Sequence, residues 1–221
     1  MDDRVGLNLH RDAWPTARVL AAHEEAGLSW LQVHTPPRAM LADRGRCRRH
    51  ARALRTALES SSLRLVLHAP DDLSAGTVEE DRAFAGLLDY AAEAGAELVA
   101  YHGLNFVDAG GPARPRARER ARLEEGSLLS HLQRAHTLGV KVAIENLAPV
   151  HPGPPRLCHD PLAVRDLMRR LGSPAAGMLL DVGHLHPTTG FAGGARGRGI
   201  AQRSRPGRRC GRARRRALPR P

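Results

Sequence analysis

The sequence has no apolar run near the roughly 18 residues that a membrane-spanning helix needs. Its first ten residues, MDDRVGLNLH, carry acids where a secretory signal carries basic residues. Cysteine is scarce: Cys47, Cys158 and Cys210 are widely separated, which fits neither a disulfide framework nor a CxxC metal site. With 42% hydrophobic residues the chain can still bury a core. We therefore predict a globular, cytoplasmic protein with free thiols and no membrane partner.

Acidic residues are absent after Asp181, and lysine occurs once, as Lys141, against 33 arginines. Eleven of those arginines lie between Arg196 and Arg220, so residues 1–195 carry 23 basic and 23 acidic side chains. The net charge of +11 comes entirely from the last 26 residues. It therefore does not indicate what the rest of the chain binds.

Residues 187–221 contain no acid, no histidine and almost no apolar run. Such a segment is typical of a disordered basic tail, and it could also be an arm that binds nucleic acid non-specifically. A third interpretation is a frameshifted reading of GC-rich coding DNA, which the excess of arginine over lysine favours. We adopt the frameshift interpretation, under which the tail is a low-complexity segment outside the folded domain.

Six short apolar runs recur along the first 186 residues and predict strands at 5–9, 28–34, 63–68, 96–102, 140–145 and 176–181. The runs are continuous rather than alternating, as in parallel strands covered on both faces. Helical patterns lie between them, with starts at the Thr77/Glu80 capping box and at Asp160–Pro161. No glycine-rich phosphate loop follows the first strand, which argues against a dinucleotide-binding sheet. We predict an α/β fold: an incomplete (β/α)8 TIM barrel of six βα units over residues 1–186.

Four consecutive predicted strands end in potential metal ligands, which are His68, His102, Glu145, and Asp181 with His184. The carboxyl ends of barrel strands share one mouth, so these side chains should converge. Carboxylates and imidazoles together suit a divalent ion such as Mn, Zn, Mg or Co. A carboxylate just inside the barrel would be costly without a cation. His10 and His34 also end strands and are interpreted as rim residues, and Asp181 could instead cap the following loop.

At these positions the sequence resembles the xylose isomerase-like superfamily, particularly bacterial sugar phosphate isomerase/epimerase proteins. The resemblance covers residues 4–186 and depends on HAP, VAIENLAP and LLDVGHLH at the ends of strands three, five and six. It implies a metal held by Glu145 and Asp181, with a histidine from strand seven and a glutamate from strand eight. Glu145 and His184 would be the catalytic residues acting on a sugar or sugar phosphate. The substrate pocket would include His68, His102, Asn146 and His184.

The tail supplies neither of the two remaining strands, so the sequence predicts impaired activity. An endonuclease IV-type AP endonuclease is an alternative, because its first five metal-ligand positions match the same five residues. The neutral balance of residues 1–195 argues against it, since a duplex-binding surface should be enriched in basic charge. A second alternative is a non-catalytic protein that binds nucleic acid through the arginine tail.

Overall fold

The strands of the chain form one parallel sheet. The computed structural model describes residues 5–105, 114–148 and 156–189. The strands are β1 Gly6–Asn8, β2 Trp30–His34, β3 Arg64–His68, β4 Leu98–Tyr101, β5 Lys141–Glu145 and β6 Ala176–Leu179. Each strand pairs with the next, so the spatial order is the sequence order, β1 to β6. This order confirms the barrel-type prediction, because a doubly wound sheet reverses its strand order.

A helix lies in every connection between successive strands. The helices are α1 Ala17–Glu25, α2 Arg38–Leu41, α3 Arg44–Leu58, α4 Val78–Ala94, α5 Arg114–Thr137, α6 Pro161–Leu171 and α7 Val182–Thr189, with a 3₁₀ turn at Leu157–His159. The predicted strand–helix alternation is therefore confirmed. Parallel neighbours need such crossovers, since a tight turn can join only antiparallel strands.

The helix starts follow the predicted capping chemistry. Thr77 Oγ1 accepts from the Glu80 amide at 3.3 Å and so caps α4, and the Thr77 hydroxyl donates to the Glu80 carboxylate at 2.9 Å. Asp160 accepts from the Leu162 amide at 2.9 Å, and Pro161 is the first residue of α6. At the other end of α4, Gly95 takes the left-handed conformation, with φ of 78°.

The strands present two different rows of side chains. One row is apolar and buried with the helices in the core; in β2 and β3, for example, Leu31 pairs with Leu65 and Val33 with Leu67. Successive side chains of a strand point to opposite faces, so the intervening positions face the interior of the curved sheet. Those inward positions end in polar side chains at His68 and Glu145. The alternation therefore directs the chemically active side chains away from the helix layer.

Helix α5 carries one carboxylate into the core. Glu124 is fully buried, and it accepts hydrogen bonds from the Tyr101 hydroxyl and, at 2.9 Å, from the Leu104 amide. Burial raises the pKa of Glu124 to about 7, although both donated bonds and Arg120 act in the opposite direction. We therefore expect Glu124 to change charge near neutral pH inside the folded domain.

This buried acid should make stability fall as the pH rises. Its folded pKa is above the ordinary value of 4.5, so its contribution is complete below that pH and is lost as the pH rises through about 7. The loss should reach about 2–3 kcal/mol. Urea unfolding between about pH 5 and about pH 8 should therefore show a steeper decline for the wild-type chain than for Glu124→Gln. Parallel profiles would show that Glu124 does not titrate in this range.

The last described helix extends beyond the boundary that the sequence predicted. α7 runs to Thr189, past the predicted end of the domain at His186. Residues 190–221, and with them most of the predicted tail, lie outside the described residues. Among the helices that are described, none combines the length and apolar character needed to cross a bilayer.

Candidate metal centre

The five residues predicted from the strand ends line one cavity. The cavity measures about 600 Å³ and opens at the carboxyl ends of the strands. It is lined by Asn8, Arg11, Gln32, His34, His68, Asp71, His102, Asn105, Glu145, Leu147, Arg156, Leu179, Asp181 and His184. Residues distant in sequence meet there because parallel strands end at the same edge.

Glu145 is at the centre of the cluster. Glu145 is only 5% exposed, and its Oε2 atom lies 3.8 Å from His68 Nε2 and 3.6 Å from His102 Nε2. Its other oxygen, Oε1, lies 3.4 Å from His184 Nδ1. The carboxylate is thus approached by imidazole nitrogens on both sides. These separations are longer than a good hydrogen bond between nitrogen and oxygen.

The orientation of His68 shows what could lie between these groups. Its Nδ1 atom is 2.8 Å from the Ala69 carbonyl, to which it can only donate. A neutral His68 then presents a lone pair at Nε2 toward the Glu145 carboxylate, and two lone pairs repel. A backbone bond of this kind fixes the free nitrogen of many metal-binding histidines.

The distances fit a bound cation. Ligands about 2.0–2.2 Å from one ion lie about 3.0–3.5 Å from each other at ordinary coordination angles. Two groups offer ligand atoms that all lie within 4.8 Å of one another: His68, His102 and Glu145, and Glu145, Asp181 and His184. Glu145 belongs to both groups. The donor set of imidazoles and carboxylates suits Zn, Mn or Co, with Mg less favoured by nitrogen ligands.

Asp181 has two roles, one for each carboxylate oxygen. Oδ1 accepts from the His184 amide at 2.9 Å and so caps the start of α7, as the alternative interpretation of this residue predicted. Oδ2 lies 3.4 Å from His184 Nδ1. His184 Nδ1 is also 2.9 Å from the Asn146 carbonyl, so the same nitrogen lies close to β5 and to both carboxylates.

Asn146, which the sequence placed in the substrate pocket, is not among the residues that line the cavity. It is fully buried, and its amide group donates to the Asp181 carbonyl at 3.1 Å and accepts from the Asp181 amide at 2.8 Å. These two hydrogen bonds connect the chain just beyond β5 with the chain just beyond β6. They hold the backbone of Asp181 beside the end of β5.

Asp71 is a cavity residue that the sequence analysis missed. Its Oδ1 atom lies 3.7 Å from His102 Nδ1 and 4.0 Å from His68 Nδ1, and its Oδ2 accepts from Arg11 at 2.7 Å. Burial acts to raise the pKa of Asp71, but the Arg11 hydrogen bond and His102 outweigh it and the pKa is lowered. Its place in HAPDD, three residues after His68, was the available signal.

His34 and His10 differ although the sequence placed both at strand ends; His34 ends β2, whereas His10 lies two residues beyond β1. His34 lines the cavity, and its ring centroid lies 4.7 Å from that of His68. Burial first, and His68 second, lower the pKa of His34, which favours its neutral form. His10 is highly exposed and agrees with the rim interpretation. Gln32 could have been found by alternation, because it lies two residues before His34 on the same strand face.

The fold and the cluster define a barrel-type α/β protein with a set of candidate metal ligands at the strand ends. The sequence model of the xylose isomerase-like TIM barrel matches residues 20–210. The chain therefore belongs to the xylose isomerase-like TIM-barrel family, as the resemblance predicted. No curated protein sequence gives a significant match.

Solved structures of sugar epimerases share the fold. A 3-keto-D-glucoside 4-epimerase from E. coli is 14% identical, with a TM-score of 0.62 over 83% of this chain and 70% of its own. A Methylomonas D-allulose 3-epimerase in complex with D-allulose is 14% identical, with a TM-score of 0.55 over 76% and 57%. A Thermus thermophilus protein soaked with ZnCl₂ is 25% identical, with a TM-score of 0.56 over 84% and 68%. The chain thus spans less than two thirds of the D-allulose enzyme.

Proposed function

We propose that the chain is a metal-dependent isomerase or epimerase that acts on a sugar or sugar phosphate. The observation that carries the proposal is the buried Glu145 carboxylate, approached at 3.6–3.8 Å by the Nε2 atoms of His68 and His102. Burying a carboxylate without close hydrogen bonds is costly, and a cation beside it would offset that cost. The sugar epimerases that share the fold support the choice of substrate class.

Glu145 would provide the anionic ligand beside the nitrogen ligands His68 and His102, and Asp181 would add a second carboxylate on the side of His184. When bound, the ion would polarise the carbonyl and the neighbouring hydroxyl of the sugar. Glu145 would accept the proton released from the carbon beside that carbonyl. His184 would carry a proton on the other side of Glu145, where its Nδ1 atom lies 3.4 Å from Glu145 Oε1.

The remaining lining residues suit a polyhydroxylated ligand. Asn8, Gln32 and Asn105 offer amide groups that can donate to and accept from hydroxyls. Arg11 and Arg156 are the cations of the lining. They would face the phosphate if the sugar is phosphorylated.

We also propose that turnover by this chain is slow. The family resemblance implies a histidine and a glutamate from strands seven and eight, and the described residues provide six strands. Metal binding would then depend on the ligands already named. Loss of the second acid/base is expected to reduce the rate by about 10²- to 10⁴-fold.

The direct test uses the purified 221-residue chain with Mn²⁺, Co²⁺, Zn²⁺ or Mg²⁺ and a panel of ketoses, aldoses and their phosphates in D₂O. Deuterium entering the carbon beside the carbonyl, followed by NMR, reports proton abstraction even when turnover is slow. We expect metal-dependent exchange on at least one sugar, together with a rise in melting temperature on metal addition. If no metal raises the melting temperature and no sugar exchanges, the proposal is wrong.

A second candidate is an AP endonuclease of the endonuclease IV type. The observation that favours it is the separation of the ligands into two groups that share Glu145. Incubating the zinc-loaded chain with a duplex that contains an abasic site distinguishes the two. Cleavage at that site without sugar exchange would favour the endonuclease, and an intact duplex would exclude it.

A further inference from the structure

We propose that Glu124 is a positioning residue, which fixes the loop after β4 and thereby holds His102 against Glu145. The expected effect on metal binding rests on the proposed metal site, because His102 is one of that site's ligands. We call Glu124, Tyr101 and Leu104 the Glu124 clamp.

The clamp holds the chain on both sides of His102. Tyr101 ends β4 and donates its hydroxyl to one oxygen of Glu124, and the Leu104 amide donates to the other oxygen at 2.9 Å. His102 lies between these two attachment points in the sequence. A single carboxylate with two acceptor oxygens can bridge them, whereas an apolar side chain cannot.

The backbone of the clamped loop is strained. Leu104 has a φ of 55° and is the only residue other than glycine with positive φ in the described parts of the chain. Non-glycine residues in this region persist only where their surroundings enforce it, and they cluster at functional sites. The bond from its amide to Glu124 is one such constraint.

Neighbouring loops are tied to the same clamp. The Tyr101 hydroxyl accepts from the Ala75 amide at 2.9 Å, which connects the clamp to the segment after β3. The Leu104 carbonyl accepts from the Cys158 amide at 3.2 Å, and the Cys158 carbonyl accepts from the Leu147 amide at 3.3 Å. The network thus joins the segments that follow β3, β4 and β5. His68 ends β3, His102 directly follows β4 and Glu145 ends β5.

Stability alone does not account for Glu124. Burying a carboxylate is costly, and replacing a buried polar network by packed apolar residues is often neutral or stabilising. The bonds of Glu124 are directed to the loop that bears a cavity residue rather than to another part of α5. Positioning that loop is a function that an apolar residue at 124 would not provide.

The test compares the full chain with Glu124→Leu, Glu124→Gln and Tyr101→Phe. The control is Glu125→Gln, since Glu125 is the next residue of α5 and pairs with Arg170 on the surface. Hydrogen exchange of the Leu104 amide and the imidazole NMR signals of His102 are measured without metal. A Co²⁺ titration followed by absorption then gives metal affinity and ligand geometry.

We expect Glu124→Leu to expose the Leu104 amide to exchange at least about 10-fold faster. It should shift or broaden the His102 signals and weaken Co²⁺ binding roughly 10- to 100-fold, as for other outer-shell partners. Glu124→Gln keeps one acceptor and should recover most of the affinity, and the control should resemble the wild type. Tyr101→Phe should give an intermediate effect, and it decides the question if Glu124→Leu does not fold.

Unchanged His102 signals and unchanged Co²⁺ affinity in a folded Glu124→Leu would overturn the proposal, even if its melting temperature falls. If the wild-type chain does not bind Co²⁺, the proposed metal site fails, but the metal-free measurements still decide on the clamp. Faster Leu104 exchange with altered His102 signals would then support it. If the Leu104 amide of Glu124→Leu exchanges at the wild-type rate, the clamp proposal is wrong.

Discussion

Glu145→Gln should weaken Mn²⁺ and Co²⁺ binding by at least about 100-fold, beyond the 10- to 100-fold typical of outer-shell partners. The substitution keeps the size of the side chain but removes the negative charge shared by both ligand groups. His68 and His102 would then face a neutral amide, which provides no anionic ligand. Isothermal titration of each metal measures the loss, and sugar proton exchange should fall with it.

The same substitution should stabilise the protein when no metal is present. Glu145 is 5% exposed, and the histidine nitrogens around its carboxylate lie 3.4–3.8 Å away, beyond the distance of close hydrogen bonds. Removing an imperfectly paired buried charge should raise the free energy of unfolding by about 1–3 kcal/mol. Opposite effects on metal binding and on metal-free stability are typical of a functional site that is costly to the fold.

Glu97→Gln is the matched control, because Glu97 lies just before β4, near the opposite end of the sheet, and forms an ion pair with Arg64. Its metal binding should equal that of the wild type. If Glu145→Gln binds metal as tightly as Glu97→Gln does, Glu145 is not a ligand. If Glu145→Gln lowers the stability of the metal-free protein instead of raising it, the protein alone stabilises the carboxylate.

The fold could be predicted largely from local signals. All six strands lie within the predicted apolar runs, and α4 begins where Thr77 indicated. Those features depend on neighbouring residues only. Neither the 3₁₀ turn at Leu157–His159 nor the left-handed Leu104 was predicted, because each depends on contacts between segments distant in sequence.

The candidate site was predictable where a residue ends a strand, since parallel strands bring those ends together. That rule was sufficient for His68, His102 and Glu145. It does not apply to Asn146, which follows Glu145 on the other side of the alternation and bonds Asp181 outside the cavity lining. It also missed Asp71, which reaches the cavity through a loop whose path the sequence pattern does not give.

The helices that pack behind the strands of the site include a close contact between α2 and α4. Gly86 in α4 faces Leu41 in α2, and a Cβ atom built on Gly86 would lie 1.9 Å from the Leu41 carbonyl oxygen. Because the obstacle is backbone, no side-chain rotation can relieve it. Cys47 Sγ also contacts the Gly86 carbonyl at 3.4 Å, so α3 packs against the same point.

Gly86→Ala should therefore lower the free energy of unfolding by about 3 kcal/mol or more, at the upper end for overpacking. Gly126→Ala is the matched control in α5, where an added Cβ would meet nothing within 4 Å. At that position alanine should raise stability by up to about 1 kcal/mol through its better helix propensity. Urea unfolding of both variants measures the difference.

Since α4 connects β3 to β4, the strands leading to His68 and His102, folded Gly86→Ala should also bind Co²⁺ more weakly than Gly126→Ala. Equal stability of the two variants would mean that α2 moves away at no cost and does not hold α4 in place.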